Sequence, residues 1–405
     1  MRETIRRNSE SADGARSAIL ASLNPTETEY CGLINALGRT AAEDLKAPSH
    51  VPPYDVALVD GYAVRAADTS GATELTPVAL GVLSDSPTRR LRRLEPETVV
   101  KVRAGGWMPA GADAVLPAGR LFRAPHDPQV HVMREAAPGE NVSPAGYLAQ
   151  AGEVIVERGT LIGPGEMAAA GAAGIAGIAV TRRPRAAIVT TGEGVVDVAD
   201  DLSSGQTRNA ARYQLAGMAL ECGCELGKLA HVRDGRKGIE SALSDCAACD
   251  ATLIALDPGT GVEFAVEALA AAGEVVFERV RMSPGGTAAA FGTVRGRPVF
   301  VLTAESSLEV FEALVRPGLL AMMGRREVDR RRGRAEVTAN LRLDPAYCHY
   351  LRAFTRCLDG RWTTQPVTPH ESGAGKWAQP DSLIFVPENT PDVRRGQNVE
   401  VILLG

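Results

Sequence analysis

The chain has 405 residues, 45% of them hydrophobic and 23% charged, with a formal net charge of -5. That length suits two to four soluble domains, and that balance excludes a disordered chain. No overall positive field exists to hold a nucleic-acid backbone, and 4% aromatic residues leave little for base stacking.

In chain order, Met1 to Glu10 is charged and lacks the apolar core of a signal peptide. Residues 14–44 read as helical. Ala18, Ile19, Leu20 and Leu23 precede Asn24-Pro25, and Leu33, Ile34, Ala36 and Leu37 recur at helical spacing up to Gly38. Lys46 to Pro53 is Pro-rich and extended. Residues 54–146 hold short β-type runs at 78–82, 98–102, 114–116 and 130–133, separated by turn signals such as Pro109-Ala110-Gly111. Residues 150–180 return to helix at Pro164-Gly165-Glu166. From Pro184 onward, strand and helix alternate. Strands are expected at 185–190, 224–232, 251–256, 273–279 and 299–302, with helices at 210–222, 239–246, 261–271 and 308–322. Arg325 to Arg334 is a charged run that reads as a solvated linker rather than an RNA contact. The tail from 335 to 405 reads as β-rich.

The expected fold is therefore an α/β multidomain chain. Residues 1–45 with 147–182 form an elongated helical part, and 46–146 a β-rich insert. Residues 183–324 form a central α/β layer domain, and 335–405 a β-rich end. The longest uncharged apolar stretch, Met167 to Val180, is shorter than a membrane span of about 20 residues. A cytoplasmic protein with neither membrane nor nucleic acid as partner is expected.

The most specific string is Val59-Asp60-Gly61-Tyr62-Ala63-Val64, in which an extended segment delivers an acid and a glycine into a turn before a strand. It follows Ala36-Leu37-Gly38-Arg39, Glu43-Asp44 and Ala47-Pro48. It precedes Pro109-Ala110-Gly111-Ala112-Asp113, Pro138-Gly139-Glu140-Asn141, Thr190-Thr191-Gly192, Gly205-Gln206, Arg233-Asp234, Pro284-Gly285 and Arg316-Pro317. In this order the chain resembles the molybdopterin molybdenumtransferases (MoeA and the E domain of gephyrin) over roughly residues 15–405. The resemblance implies an L-shaped homodimer with clefts between protomers. It also implies a reaction that inserts molybdate into adenylylated molybdopterin with release of AMP and use of a divalent metal, Mg. That chemistry needs carboxylates for the metal and cationic donors for the oxyanion.

Among the family's site residues the acid at Asp60 is kept, and Thr191, Gly192, Pro284, Gly285 and Ser372 fall on its ligand-binding turns. Much of the charge is not kept. Ala104 stands for a threonine, Ser143 for an arginine, and Tyr147 and Leu148 for two acids. Glu193-Gly194 replaces an Asp-Glu pair, and Arg233-Asp234-Gly235 ends in glycine where the family has a second aspartate. Residues 256–264 and 303–306 carry altered loops. The lysine-bearing loop has become Ser283-Pro284-Gly285-Gly286-Thr287, so both lysines are lost. The chain has only five lysines, at 46, 101, 228, 237 and 376, so none lies between 238 and 375. An arginine such as Arg279 or Arg281 does not reproduce a lysine's compact charge.

The expectation is a fold-preserving, catalytically degenerate homologue. It binds molybdopterin, adenylylated molybdopterin or a protein of the same pathway, without an assigned cofactor. The alternative is a divergent transferase with Asp60, Glu193, Asp234 and Asp257 as a rearranged acidic site and Mg as its metal. A role outside the pathway is the third reading.

Other constellations read as structural. Seven cysteines do not make a disulfide framework. Cys222, Cys224, Cys246 and Cys249 have metal-like spacing but read as buried thiols, and no residue is assigned as a metal ligand. The six histidines show no ligand spacing. Arg89 to Arg93 and the acidic run Asp197, Asp200 and Asp201 read as solvated loops, and Ser372 with Lys376 as a polar turn.

Overall fold

A computed structural model of the chain describes residues 9–84, 93–125, 127–233, 235–367 and 380–405. Its centre is a six-stranded sheet. Strand Arg185–Thr191 pairs in parallel with Glu225–Val232 on one side and with Ala251–Leu256 on the other. Arg297–Thr303 continues the parallel run, and Ala290–Val294 and Glu274–Phe277 add antiparallel edges. The near-continuous apolar runs of Arg185–Thr191, Ala251–Leu256 and Arg297–Thr303 reflect burial on both faces. Alternate residues divide between two cores. Ala186, Ile188, Leu253 and Phe300 face one; Ala187, Val189, Ile254 and Val301 face the other. Helix Ala210–Cys222 and the rod Ser307–Val310, Phe311–Val315 and Arg316–Met322 cover the first face, and Arg236–Asp245 and Val262–Ala272 cover the second. The hairpin strand Ala290–Val294 was not expected from the sequence. Its turn uses Arg295 and Gly296, both at positive φ.

Two further six-stranded sheets flank this layer. One runs in the order 114–117, 61–64, 98–102, 78–84, 129–132, 121–122. The other joins 348–358, 361–366, 332–337, 398–403 and 382–386, and it closes on itself because 382–386 also pairs with 348–358. Met282–Ser283 attaches to this barrel in parallel with Cys348 and His349. The loop beginning at Ser283 is thus held between the α/β layer and the C-terminal barrel.

The helical expectation for 1–45 with 147–182 needs correction. Helix is confined to Ala12–Ala21, Pro164–Ala172 and the single turn Leu33–Ala36. Thr28–Gly32 is a strand paired with Gly177–Thr181, and Leu45–Lys46 pairs with Val154–Val156. Long-range pairing overrides the local helical spacing here. Helix Ala12–Ala21 buries Ala12, Ala15 and Ile19 in the core of the central sheet, beside Tyr350 and Ile402 of the barrel.

Two other readings are refined. The Arg325 to Arg334 run is largely solvated, with six of its ten residues exposed, and it also carries ion pairs. Arg330 donates to Glu312 and to Glu221 at 2.7 Å, and Arg332 pairs with Glu400 at 2.6 Å. Gly61 opens strand Gly61–Val64 rather than sitting in a turn. A Cβ there would lie 2.2 Å from the Leu116 carbonyl oxygen of the neighbouring strand. No helix among the described residues is long and apolar enough to cross a membrane.

The close approach at Gly61 is testable. Gly61→Ala is expected to cost about 1–3 kcal/mol, as overpacking does, read by urea unfolding at unchanged m-value. Wild-type stability in this variant would contradict the tight pairing of 61–64 with 114–117.

Candidate functional site

The central strand sends its neighbours to opposite sides, so the carboxyl ends of Arg185–Thr191 and Ala251–Leu256 flank a topological switch point. Crevices at such points are where open α/β sheets take ligands. Thr191 ends the first strand, buried at 4% exposure. Its hydroxyl donates to Thr260 Oγ1 and accepts the Asp257 backbone N–H, both at 3.1 Å. One neutral side chain therefore spans the crevice.

Gly192 follows with φ 132°. A Cβ there would sit 2.9 Å from the Asp257 Cβ, so glycine lets the two loops meet. Glu193 is exposed and Asp257 half-buried. Ala304 N–H donates to the Leu256 carbonyl at 2.8 Å, which carries the line of loops on to 303–306. Beyond it, Gly285, at φ 85°, packs so closely on Ser306 that a Cβ would lie 2.7 Å from the Ser306 Cβ.

Thr191, Gly192, Glu193 and Asp257 are thus brought together, with Pro284 and Gly285 at the far end of the same edge. Asp60 is not part of this group within one protomer. It precedes strand Gly61–Val64 of a different sheet, and its carboxylate accepts the Ala104 backbone N–H at 2.8 Å. That contact caps the turn at residues 103–106. Asp234 and Ser372 with Lys376 lie outside the described residues, as does Arg89 to Arg92.

The loop that has lost its lysines is shaped around glycine. Gly286 is buried, and a Cβ there would meet the Val280 carbonyl oxygen at 2.5 Å and the Met282 side chain at 2.9 Å. Any side chain there would require the neighbouring backbone to shift. Two nearby arginines are committed elsewhere. Arg281 is turned towards Ser9 O at 2.6 Å and Glu388 at 3.3 Å. Arg352 is held by buried Glu309 through two bonds of 2.7 and 3.1 Å. Arg233 is the exposed cation left at the end of strand Glu225–Val232.

The site residue that sequence reasoning passed over is His231. Its Nε2–H donates to the Gly192 carbonyl at 3.0 Å, and its Nδ1 accepts the Thr190 hydroxyl at 3.1 Å. Asn209 Nδ2 donates to the same hydroxyl at 2.7 Å. Burial, aided by the charges of Arg212 and Arg233, pushes the imidazole below its ordinary value. No spacing motif marks His231, because its partners arrive from a strand forty residues away.

Among the described residues no three His, Cys, Asp or Glu side chains are grouped to hold a metal ion. The cysteine pairs lie in different cores, Cys222 and Cys224 on one face of the sheet and Cys246 and Cys249 on the other. Burial pushes the Cys222 thiol up to about 12 and Cys246 up to about 11, which keeps both neutral.

Two outcomes follow from this geometry. Thr191→Val should cost about 1–3 kcal/mol, because it strands the Asp257 N–H, and chemical denaturation reads the loss. For His231, the folded-state value lies below the ordinary 6.5, so below that pH the unfolded chain binds more protons. Stability is then present at neutral pH and lost as pH falls through 6.5 towards the folded value. Thermal melts at about pH 7.5 and about pH 5.5 should show this drop, and His231→Gln should flatten it. An equal pH response in both proteins would remove His231 as its source.

Comparison with known proteins places this architecture. Residues 10–174 match a model of the MoeA N-terminal region (domain I and II), 187–321 a probable molybdopterin binding domain, and 334–404 the MoeA C-terminal region (domain IV). The chain is 30% identical over 383 residues to molybdopterin molybdenumtransferase 2 of Mycobacterium tuberculosis, covering 91% of this chain and 93% of the relative. It is 27% identical over 396 residues to molybdopterin molybdenumtransferase of Bacillus subtilis, covering 93% and 90%. A crystal structure of the molybdopterin biosynthesis MoeA protein from Pyrococcus horikosii superposes with a TM-score of 0.84 at 26% identity, over 98% of this chain and all of that one. With its three regions matched in order along nearly the whole length of such relatives, the chain belongs to the MoeA family of molybdenum-cofactor biosynthesis proteins.

Proposed function

We propose that this chain is a catalytically degenerate MoeA homologue that acts as a cytoplasmic homodimer. It binds molybdopterin, adenylylated molybdopterin or a pathway protein, and it has lost most molybdate insertion. The observation that carries the reading is Gly286. The loop that holds two lysines in the family here offers Ser283 and a buried glycine with a carbonyl 2.5 Å from where a side chain would start. Two charged donors for the oxyanion are gone, and packing shuts out the second. One preorganised donor is worth roughly 100- to 1,000-fold in rate. The crevice supports ligand holding, since Thr191, Gly192 and Gly285 keep the backbone shape of a ligand-binding edge. Exposed Tyr30, Ile34 and Leu37 (74%, 80% and 54%) lie close together in sequence and support burial against a second copy.

The second reading is a divergent molybdopterin molybdenumtransferase. It is favoured by the acids Glu193 and Asp257 on the crevice and by the names of the relatives. Asp60 and Asp234 would then complete the acidic site, with Mg supplied on binding.

An assay of molybdate-dependent AMP release from adenylylated molybdopterin separates the two. The expected rate is at least about 1,000-fold below that of the Mycobacterium tuberculosis relative, with pterin binding retained in equilibrium titration. A rate within tenfold of the relative's would overturn the degenerate reading, and absence of any pterin binding would move the protein outside the pathway.

A further inference from the structure

The arginine-rich segment forms one wall of a half-open cavity of about 550 Å³, lined also by residues 159–161 and the end of the last strand. The junction is tight. Gly159, at φ 83°, accepts the Arg326 N–H at 3.1 Å, and a Cβ on it would touch the Arg326 side chain at 2.8 Å. Five arginines line the cavity: Arg316, Arg325, Arg326, Arg330 and Arg331.

Their charges are unevenly matched. Arg330 is neutralised by Glu312 and Glu221, and Arg326 by Glu157. Asp329, also on the lining, is drawn off by Arg16 at 2.7 Å. Arg316 donates to the Val328 carbonyl at 3.0 Å and sees Glu312 only at 3.8 Å. Arg325 and Arg331 have no ion pair among the described residues. The Arg325 Nε is buried without a hydrogen-bond partner, and its Nη2 reaches only the Cys222 carbonyl at 3.5 Å. Burial, then the charge of Arg330, lowers the basicity of Arg316, and burial lowers that of Arg325 as well. Five arginines thus face two lining acids, Glu327 and Asp329, and positive charge is in excess in this half-open space. Arg331 is exposed and Arg325 half-buried, and it is the buried, unpartnered Arg325 Nε whose desolvation cost an incoming anion would relieve.

We infer that this cavity is a binding site for a phosphate-type anion, gripped by Arg325 and Arg331 with Arg316 behind them. The guanidinium fork matches tetrahedral oxyanions through paired hydrogen bonds. The volume exceeds what one free oxyanion fills and falls in the usual range of roughly 300–1,000 Å³ for organic ligands, which favours a small phosphate ester over inorganic phosphate. No residue of this site is shared with the strand-end crevice.

Titration calorimetry of the full chain, with inorganic phosphate and with glucose 6-phosphate at ionic strength fixed by chloride, tests the site. Saturable binding of either probe supports it, and the tighter probe names the source. Arg325→Gln with Arg331→Gln is expected to weaken binding about tenfold or more, the loss of one to two charge-assisted hydrogen bonds. Leu161→Glu removes no arginine but sets a carboxylate on the exposed rim, and it is expected to weaken binding as much. That variant decides the matter if the double variant does not fold. Lack of saturable binding by either probe, or affinity unchanged in Leu161→Glu, overturns the inference.

Discussion

The strand-end site depends on the position of one strand. Arg185–Thr191 is buried on both faces and lies between two parallel neighbours that the chain reaches in opposite directions. That order places a topological switch point at the strand's carboxyl end, where open α/β sheets take ligands. Thr191 and Gly192 occupy the end itself. Their side chain and missing side chain decide how closely the facing loop at Asp257 approaches.

The same constraint explains what has happened to the charge. The chain is rich in arginine and poor in lysine, and its arginines tie parts of the fold together. Arg182 grips Asp250 with bonds of 2.8 and 2.9 Å below the central sheet, Arg352 joins the barrel to Glu309, and Arg281 joins the lysine-free loop region to Glu388. Cations committed in this way are not available along the strand-end crevice. The strand end itself carries hydroxyls, glycines and the His231 imidazole, with the acids Glu193 and Asp257 beside them and Arg233 at its edge.

Much of the α/β layer was legible in the sequence. Its inner strands are apolar runs bounded by turn residues, and helix Arg236–Asp245 carries clear periodicity. The smaller parts were not. Thr28–Gly32 finds its partner at Gly177–Thr181, about 150 residues away, and nothing local announces that pairing. Gly61 was recognisable as a special position, but its reason, a carbonyl from the next strand, exists only after folding. His231 was invisible for the same cause, since Thr190 and Gly192 complete its environment from the neighbouring strand. The Arg325 to Arg334 run reads as solvated and most of it is exposed, but composition does not reveal the buried Glu312 that holds Arg330.

The central claim is that a preserved scaffold carries a depleted crevice. Its most direct test is genetic: expression of this chain in a strain lacking its own molybdenumtransferase, scored by molybdoenzyme activity. The account predicts no recovery of activity despite folded, soluble protein. Recovery to the level given by an active family member would contradict it and return the acids around Asp257 to a catalytic role.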